Sequence, residues 1–236
     1  MKIFIPTSNK TIHLVETLLI SLEKYWPEFE SKEVIILGYD DPKFTLPSNV
    51  SFVKINNVDN VKNWAIDLKN YFESIEDEYF IYMNDDCPLS RNVDNELLDI
   101  LLQIPTLNDQ GDIGRICLTK DVSNRRHTIL GDYESFQIIE AAQDTRYRTS
   151  VQFSIWSKKY FCKYAKENMT PWEFELQNST NDGYKILATR GRYCLDFYHL
   201  MRKNGIPSDW NISCYEKKQL ETEIDEYNTI KKIMGL

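Results

Sequence analysis

An α/β fold, with a mostly parallel central sheet flanked by helices, is predicted by three features of the chain. Its first third alternates β-rich runs with helical patterns in the order β-α-β…β-α-β, as in parallel strands joined by helical crossovers. Its 236 residues, 42% hydrophobic and 13% aromatic, suffice for one large domain with a substantial core. Its apolar runs are far too short to span a membrane, so the hydrophobic residues belong to that core.

The elements follow in order. Lys2 to Pro6 reads as a first strand, and Thr11 to Tyr25 as a helix with Ile12, Val15, Leu18, Leu19 and Leu22 on its apolar face. Glu33 to Tyr39 is a continuous β-rich run that ends in the turn Asp40-Asp41-Pro42. Val50 to Ile55 is a third strand, Val61 to Ile75 a second helix, and Tyr79 to Met83 a fourth strand. A helix over Asn95 to Gln103 closes this half, and the crossover rule makes the connections right-handed. The second half is smaller and less regular. Asp112 to Thr119 and Thr149 to Ser157 read as strands, separated by a polar loop around Lys120–Tyr133. Lys158 to Asn168 suits a helix closed by Met169-Thr170-Pro171, and Tyr184 to Thr189 and Arg192 to His199 are the last two strands. Residues 215–234 form a charged helix whose apolar stripe packs on the body, with a homodimer contact as the alternative.

Charge is unevenly spread. Residues 113–203 hold 15 Lys/Arg against 10 Asp/Glu, whereas the remainder holds 13 against 26. A locally positive half in a chain of net charge −8 points to one anionic ligand rather than an extended polyanion. Arg125, Arg126, His127, Arg146 and Arg148 read as solvated surface, in a loop over 120–148 placed to cover a bound ligand. The five cysteines are scattered and form no C-x-x-C pair, which suits a reducing cytoplasm, and no signal peptide is evident. There is no Walker, Rossmann-fingerprint, nucleophile-elbow or H-E-x-x-H motif. With eight glycines the chain has no phosphate-cradling loop, so any phosphate ligand would fall to a metal ion.

The chemistry gathers at the end of the fourth strand. There an apolar aromatic run stops at Asn84-Asp85-Asp86. Adjacent carboxylates repel, and burial makes each costlier, unless a hard cation such as Mg²⁺ or Mn²⁺ sits between their oxygens. Carboxyl ends of strands are also where α/β sheets bind ligands. Two later features accompany this one: Trp172-Glu173-Phe174-Glu175 after a helix and a proline, and Tyr198-His199 ahead of Lys203-Asn204-Gly205.

In this order the three motifs resemble the GT-A, Rossmann-like fold of nucleotide-sugar glycosyltransferases, family 2-like, over roughly residues 1–206. Asn63-Trp64 and the string Gln152-Phe153-Ser154-Ile155-Trp156 share in the likeness. The resemblance implies one catalytic domain over 1–214, with a nucleotide-sugar half (1–105), an acceptor-side half (106–214) and the helix 215–236 appended. It also implies Mn²⁺ or Mg²⁺ at Asp86, with His199 as a further ligand and Asp85 or Asn84 on its water or the ribose. The acid motif departs from D-x-D in lacking its first carboxylate, and W-E-F-E replaces the more usual E-D pair.

An acceptor hydroxyl must lose a proton as it attacks the anomeric carbon, so a carboxylate base is required. Glu175 is the first choice and Glu173 the second, with Trp172 and Phe174 desolvating them, and inversion at the sugar is the expected outcome. Thr7, Ser8 and Tyr39, at the tips of the first strands, are placed to bind nucleotide together with Asn63 and Trp64. Trp156 and Trp172 are expected at the sugar, and Gln152 on a sugar hydroxyl. The expected donor is a uridine diphosphate sugar, and the acceptor a glycan, a lipid-linked glycan or modified nucleic acid. A nucleotidyltransferase fits the architecture but would bring a glycine-rich loop where Pro6-Thr7-Ser8-Asn9-Lys10 stands. A sugar- or nucleotide-binding protein without turnover is the remaining alternative.

Overall fold

The computed structural model describes residues 1–107, 112–177, 180–202 and 206–207. Strands β1 (Ile3–Pro6), β2 (Val34–Gly38), β3 (Val50–Lys54) and β4 (Tyr79–Tyr82) form the parallel half of a nine-stranded sheet, in the order β3-β2-β1-β4. Helices α1 (Ile12–Tyr25) and α2 (Trp64–Ser74) supply two of the crossovers. The chain leaves β1 toward β2 and β3 and returns to the other side of β1 as β4. The carboxyl ends of β1 and β4 therefore flank a topological switch point, where such sheets open a crevice.

The sheet continues past β4 through β8 (Ser154–Ser157), β5 (Ile113–Cys117), β9 (Lys185–Arg190), β7 (Gln137–Ala141) and β6 (His127–Asp132). The pairings make β8 and β7 run against the other seven strands, so the sheet is mostly parallel in direction. Both faces are covered. Ile3, Ile5, Ile81 and Met83 pack with α1 and α3 (Asn95–Leu107), while Phe4, Phe80 and Tyr82 pack with α2 and α4 (Lys158–Tyr164). Successive strand side chains face opposite sides of a sheet, so a strand buried on both faces is apolar at every position. On the second face Phe72 and Phe80 stack at 4.2 Å, and Phe161 meets both edge-on or nearly so. Such contacts add about 0.5–1.5 kcal/mol per pair to the area they bury.

Several expectations change. The loop over 120–148 contains the β6–β7 hairpin, which pairs with β9 at the sheet edge and is not a loose cover. Within it Arg148 is buried, with Asp182 at 3.0 Å and the carbonyl of Tyr184 at 2.5 Å, and is no part of a solvated cluster. Residues 192–199 form no sheet strand. They lie instead along residues 86–94 through an isolated antiparallel bridge, Leu89 to Phe197. A short helix α5 (Pro171–Leu176) follows α4. The sheet runs without interruption through both proposed halves of the domain, and β10 (Met201–Arg202) pairs with β11 (Ile206–Pro207) beyond it. The expected helix 215–234, and any dimer contact through it, lie outside the described residues. No described helix is long and apolar enough to cross a membrane.

Gly114 marks the tightest contact between the sheet and α4, because a Cβ there would lie 2.7 Å from Cγ of the buried Tyr160 ring. Gly114→Ala is expected to lower stability by about 1–3 kcal/mol through overpacking, read from the midpoint of urea denaturation.

Candidate active site

The tips of β1 and β4 lie side by side. Past β4 the chain places Asn84, Asp85 and Asp86, all half-buried, beside the tip of β1. Thr7 is nearly buried there, and its hydroxyl donates to Asp85 Oδ2 at 2.7 Å. Ser8 caps the start of α1 with its carbonyl, accepting from the amides of Thr11 and Ile12, while its hydroxyl meets Thr11 Oγ1 at 2.9 Å. Thr7 and Ser8 thus first serve the acid tip and the helix start. Tyr39 is buried and donates to Asp67, so its phenol does not open into the crevice as drawn from sequence.

Burial is the largest influence on the paired acids. It pushes the Asp85 carboxyl up to about 7, helped by the charge of Asp86 and opposed by hydrogen bonds from Thr11 and Thr7. Burial raises Asp86 too, against the charge of His199. The same desolvation lowers the His199 imidazole, favouring its neutral, metal-ligating form, against the pull of Asp86.

His199 reaches the acids through the strap over 192–200. The amide of Tyr198 donates to the carbonyl of Pro88 and that of Leu200 to the carbonyl of Asp86, each at 2.9 Å. On the other side, the Leu89 amide donates to buried Ser21 Oγ on α1, also at 2.9 Å. Asp86, Cys87 and His199 consequently present an oxygen, a sulfur and a nitrogen within 4.8 Å of one another. Sequence reasoning singled out Asp86 and His199 but not Cys87, because a lone cysteine carries no spacing signal.

Antiparallel β8 brings the second component. Its first residue, Ser154, pairs with Tyr82 at the end of β4, so the residues just before β8 enter at the acid end of the sheet. There Glu175 on α5 accepts from the Val151 amide at 2.9 Å and from Ser150 Oγ at 3.1 Å, both on Oε1. Burial raises its carboxyl, opposed by those two hydrogen bonds and by the charge of Arg115. Tyr82 and Cys87 each feel Asp85, Asp86 and Glu175 together, so the three carboxylates share one electrostatic neighbourhood.

Glu173 is arranged otherwise. Its carboxylate closes a capping box with Thr170, accepting from the Thr170 amide at 2.8 Å and hydroxyl at 2.9 Å. It is exposed, and those hydrogen bonds lower its pKa, which makes it a helix cap and a poor base. Of the two glutamates, Glu175 is the one that shares the neighbourhood of Asp85 and Asp86.

Trp156 is 0% exposed and packs against Tyr160, Phe161 and Phe174, so it offers no face to a sugar; this corrects its expected role. Trp64 is half-buried against Phe174 and Phe161, at the start of α2 next to Asn63. Trp172 keeps 40% of its surface open. Gln152 is half-buried and accepts from the Thr119 hydroxyl at 3.3 Å, so its oxygen is already engaged. Arg115, a fully buried arginine on β5, was missed by sequence reasoning. It donates to the Ser150 carbonyl and lies 3.8 Å from Asp121, beneath the segment that holds Glu175.

The parallel β3-β2-β1-β4 half, with acids at its switch point, makes this a Rossmann-like α/β protein. No protein-family model matches the chain, and no curated protein does. Among solved structures it is similar to Staphylococcus aureus TarS 1–349, at 16% identity and TM-score 0.46, over 84% of this chain and 60% of that one. It is likewise similar to a cytidylyltransferase from Leptospira borgpetersenii, at 15% identity and TM-score 0.48, over 99% of this chain and 95% of that one. A third is the galactosyltransferase LgtC with donor and acceptor sugar analogues, at 13% identity and TM-score 0.43, over 79% and 73% of the two chains. The chain thus spans 60% of the TarS 1–349 structure.

The raised Asp85 carboxyl has a thermodynamic consequence. Between the ordinary carboxylate value near 4 and the folded value of about 7, the folded chain holds a proton that the unfolded chain has released. Stability therefore falls as pH rises through that window and levels off above it. Asp85→Asn keeps an acceptor for Thr7 and removes the charge. It is expected to abolish on the order of 1–4 kcal/mol of that loss in chelator-treated protein, read by urea denaturation across the window.

Proposed function

We propose that this chain is a glycosyltransferase that moves a sugar from a nucleoside diphosphate, in particular a uridine diphosphate sugar, to an acceptor hydroxyl with inversion. The observation that carries this reading is the pairing of two different carboxylate environments at one end of the sheet. Asp85 and Asp86 form a concentrated negative pair suited to a cation, and Glu175 is a single desolvated carboxylate suited to taking a proton.

The donor set fits a divalent cation. Asp86 and His199 present an oxygen and a nitrogen to one point, and Thr7 holds Asp85 beside them. When bound there, the cation supplies neutralising charge for the departing diphosphate. Glu175 accepts the proton of the acceptor hydroxyl as that oxygen bonds to the anomeric carbon. The bond from that carbon to the diphosphate oxygen breaks with its electron pair on the leaving group. A single displacement of this kind inverts the sugar. Ser150 and the Val151 amide orient Glu175 through Oε1, which leaves Oε2 for the acceptor. Trp172, exposed on α5, offers an aromatic face at the acceptor side. The four described cysteines are all free, in keeping with work in the cytoplasm.

The test is incubation of uridine diphosphate sugars with divalent salts, with and without candidate acceptors, reading release of uridine diphosphate. Glu175→Gln is expected to lower kcat by about 10²–10⁴-fold, with donor affinity little changed. Glu173→Ala should leave turnover within about twofold and lower stability by about 1 kcal/mol through loss of the capping carboxylate. Asp86→Ala should remove the metal dependence of donor binding. Release of pyrophosphate from a nucleoside triphosphate would instead make the protein a nucleotidyltransferase, and binding without any turnover a sugar-nucleotide-binding protein.

The pH dependence follows from Glu175. Its raised carboxyl must be ionised to act as base, so kcat/KM is expected to fall as the solution is acidified through that raised value. A pH profile of the wild-type enzyme checks this, and loss of the acid limb in Glu175→Gln would assign it.

A further inference from the structure

We infer that Cys87 is a third protein ligand in the cation site, so that the site takes a thiophilic ion such as Zn²⁺, Co²⁺ or Fe²⁺ in preference to Mg²⁺ or Mn²⁺. This rests on the proposal that Asp86 and His199 hold a divalent ion. Cys87 Sγ lies 3.3 Å from Asp86 Oδ1 and 3.4 Å from His199 Nδ1. In a tetrahedral shell with bonds of about 2.3 Å to sulfur and about 2.0–2.1 Å to nitrogen or oxygen, the edge joining sulfur to its neighbours is about 3.6 Å. Both edges at sulfur therefore lie within a few tenths of an ångström of the tetrahedral value.

The three donors are also held by paired backbone rather than by long flexible arms. Asp86 and Cys87 are consecutive, and the hydrogen bonds from Leu200 to the Asp86 carbonyl and from Tyr198 to the Pro88 carbonyl fix His199 across from them. Cys87 is buried, and its thiol donates to the very Asp86 oxygen that would share the ion. On binding, the thiol proton passes to solvent and a sulfur–metal bond replaces that hydrogen bond. A carboxylate and a thiolate then balance a dication, the neutral imidazole completes the protein's share, and a fourth position is left for a phosphate oxygen or water. Mg²⁺ requires an octahedron of oxygens and rejects a sulfur corner, whereas Zn²⁺, Co²⁺ and Fe²⁺ accept mixed sulfur, nitrogen and oxygen sets.

Co²⁺ titration of the full chain tests this, in a background carrying Cys162→Ser and Cys214→Ser to remove two other thiols. The expected result is one bound Co²⁺ with a sulfur-to-cobalt charge-transfer band in the near ultraviolet, displaced by Zn²⁺ and unaffected by excess Mg²⁺. Cys87→Ser should abolish the band and weaken Zn²⁺ binding by about 100-fold. Cys87→Asp, which restores an anionic ligand, should bind Mn²⁺ in place of Zn²⁺ and keeps the test decisive if the serine variant misfolds. Stoichiometric Co²⁺ binding without the band, unchanged in Cys87→Ser, would overturn the role of Cys87 while leaving the ion at Asp86 and His199. Absence of binding by any of these ions, in wild type and Asp86→Ala alike, would overturn the ion site itself.

Discussion

Two carboxylates on consecutive residues, Asp85 and Asp86, are forced together at the switch point of the parallel half of the sheet. Neither can move away, because β4 ends three residues earlier, with Tyr82 and Met83 both buried in opposite cores. Their repulsion and desolvation oppose folding unless a proton or a cation is bound. Thr7 and Thr11 lessen the opposition by donating to Asp85, and the strap over 192–200 brings His199 alongside Asp86. These groups act on the charge of one strand tip, and the large two-sided core around β1 and β4 makes the tip tolerable. Strain of this electrostatic kind concentrates where proteins bind ligands.

The second constraint is the reversal of β8. A parallel strand beside β4 would carry its leading residues to the opposite end of the sheet. Run antiparallel, β8 delivers Ser150 and Val151 to the acid end, where they hold Glu175. Arg115 lies beneath them, fully buried, donating to the Ser150 carbonyl and facing Asp121. A buried guanidinium at that point favours the ionised form of Glu175 while the surrounding protein disfavours it. The carboxyl remains raised because desolvation outweighs the charge. The acid pair and Glu175 thus meet from about ninety residues apart in the chain.

Short-range patterns were enough for most of the sheet. Apolar runs located β1 to β5, β8 and β9 to within a few residues, since strands buried on both faces leave little room for polar positions. The hairpin β6–β7 escaped because its strands are partly exposed and interrupted by polar residues. The segment ending at His199 looks like a strand for its local composition, yet it lies along residues 86–94 with a single bridge and stays irregular. Trp156 illustrates the limit for aromatics: burial on a central strand and availability to a sugar have the same local sequence. Glu173 and Glu175, two residues apart on one short helix, differ only in which side of α5 they occupy.

From the amino-acid order alone come the alternation of strand and helix, the acids at the end of β4 and a second carboxylate motif near α5. These depend on residues close in sequence, where hydrophobic periodicity and turn chemistry act directly. Tertiary structure decided which glutamate lies among the paired acids, which tryptophan is core, and that Cys87 lies against Asp86 and His199 and Arg115 beneath Ser150. Each of those outcomes depends on desolvation and on hydrogen-bond partners tens of residues away, and such properties arise only once the strands have paired.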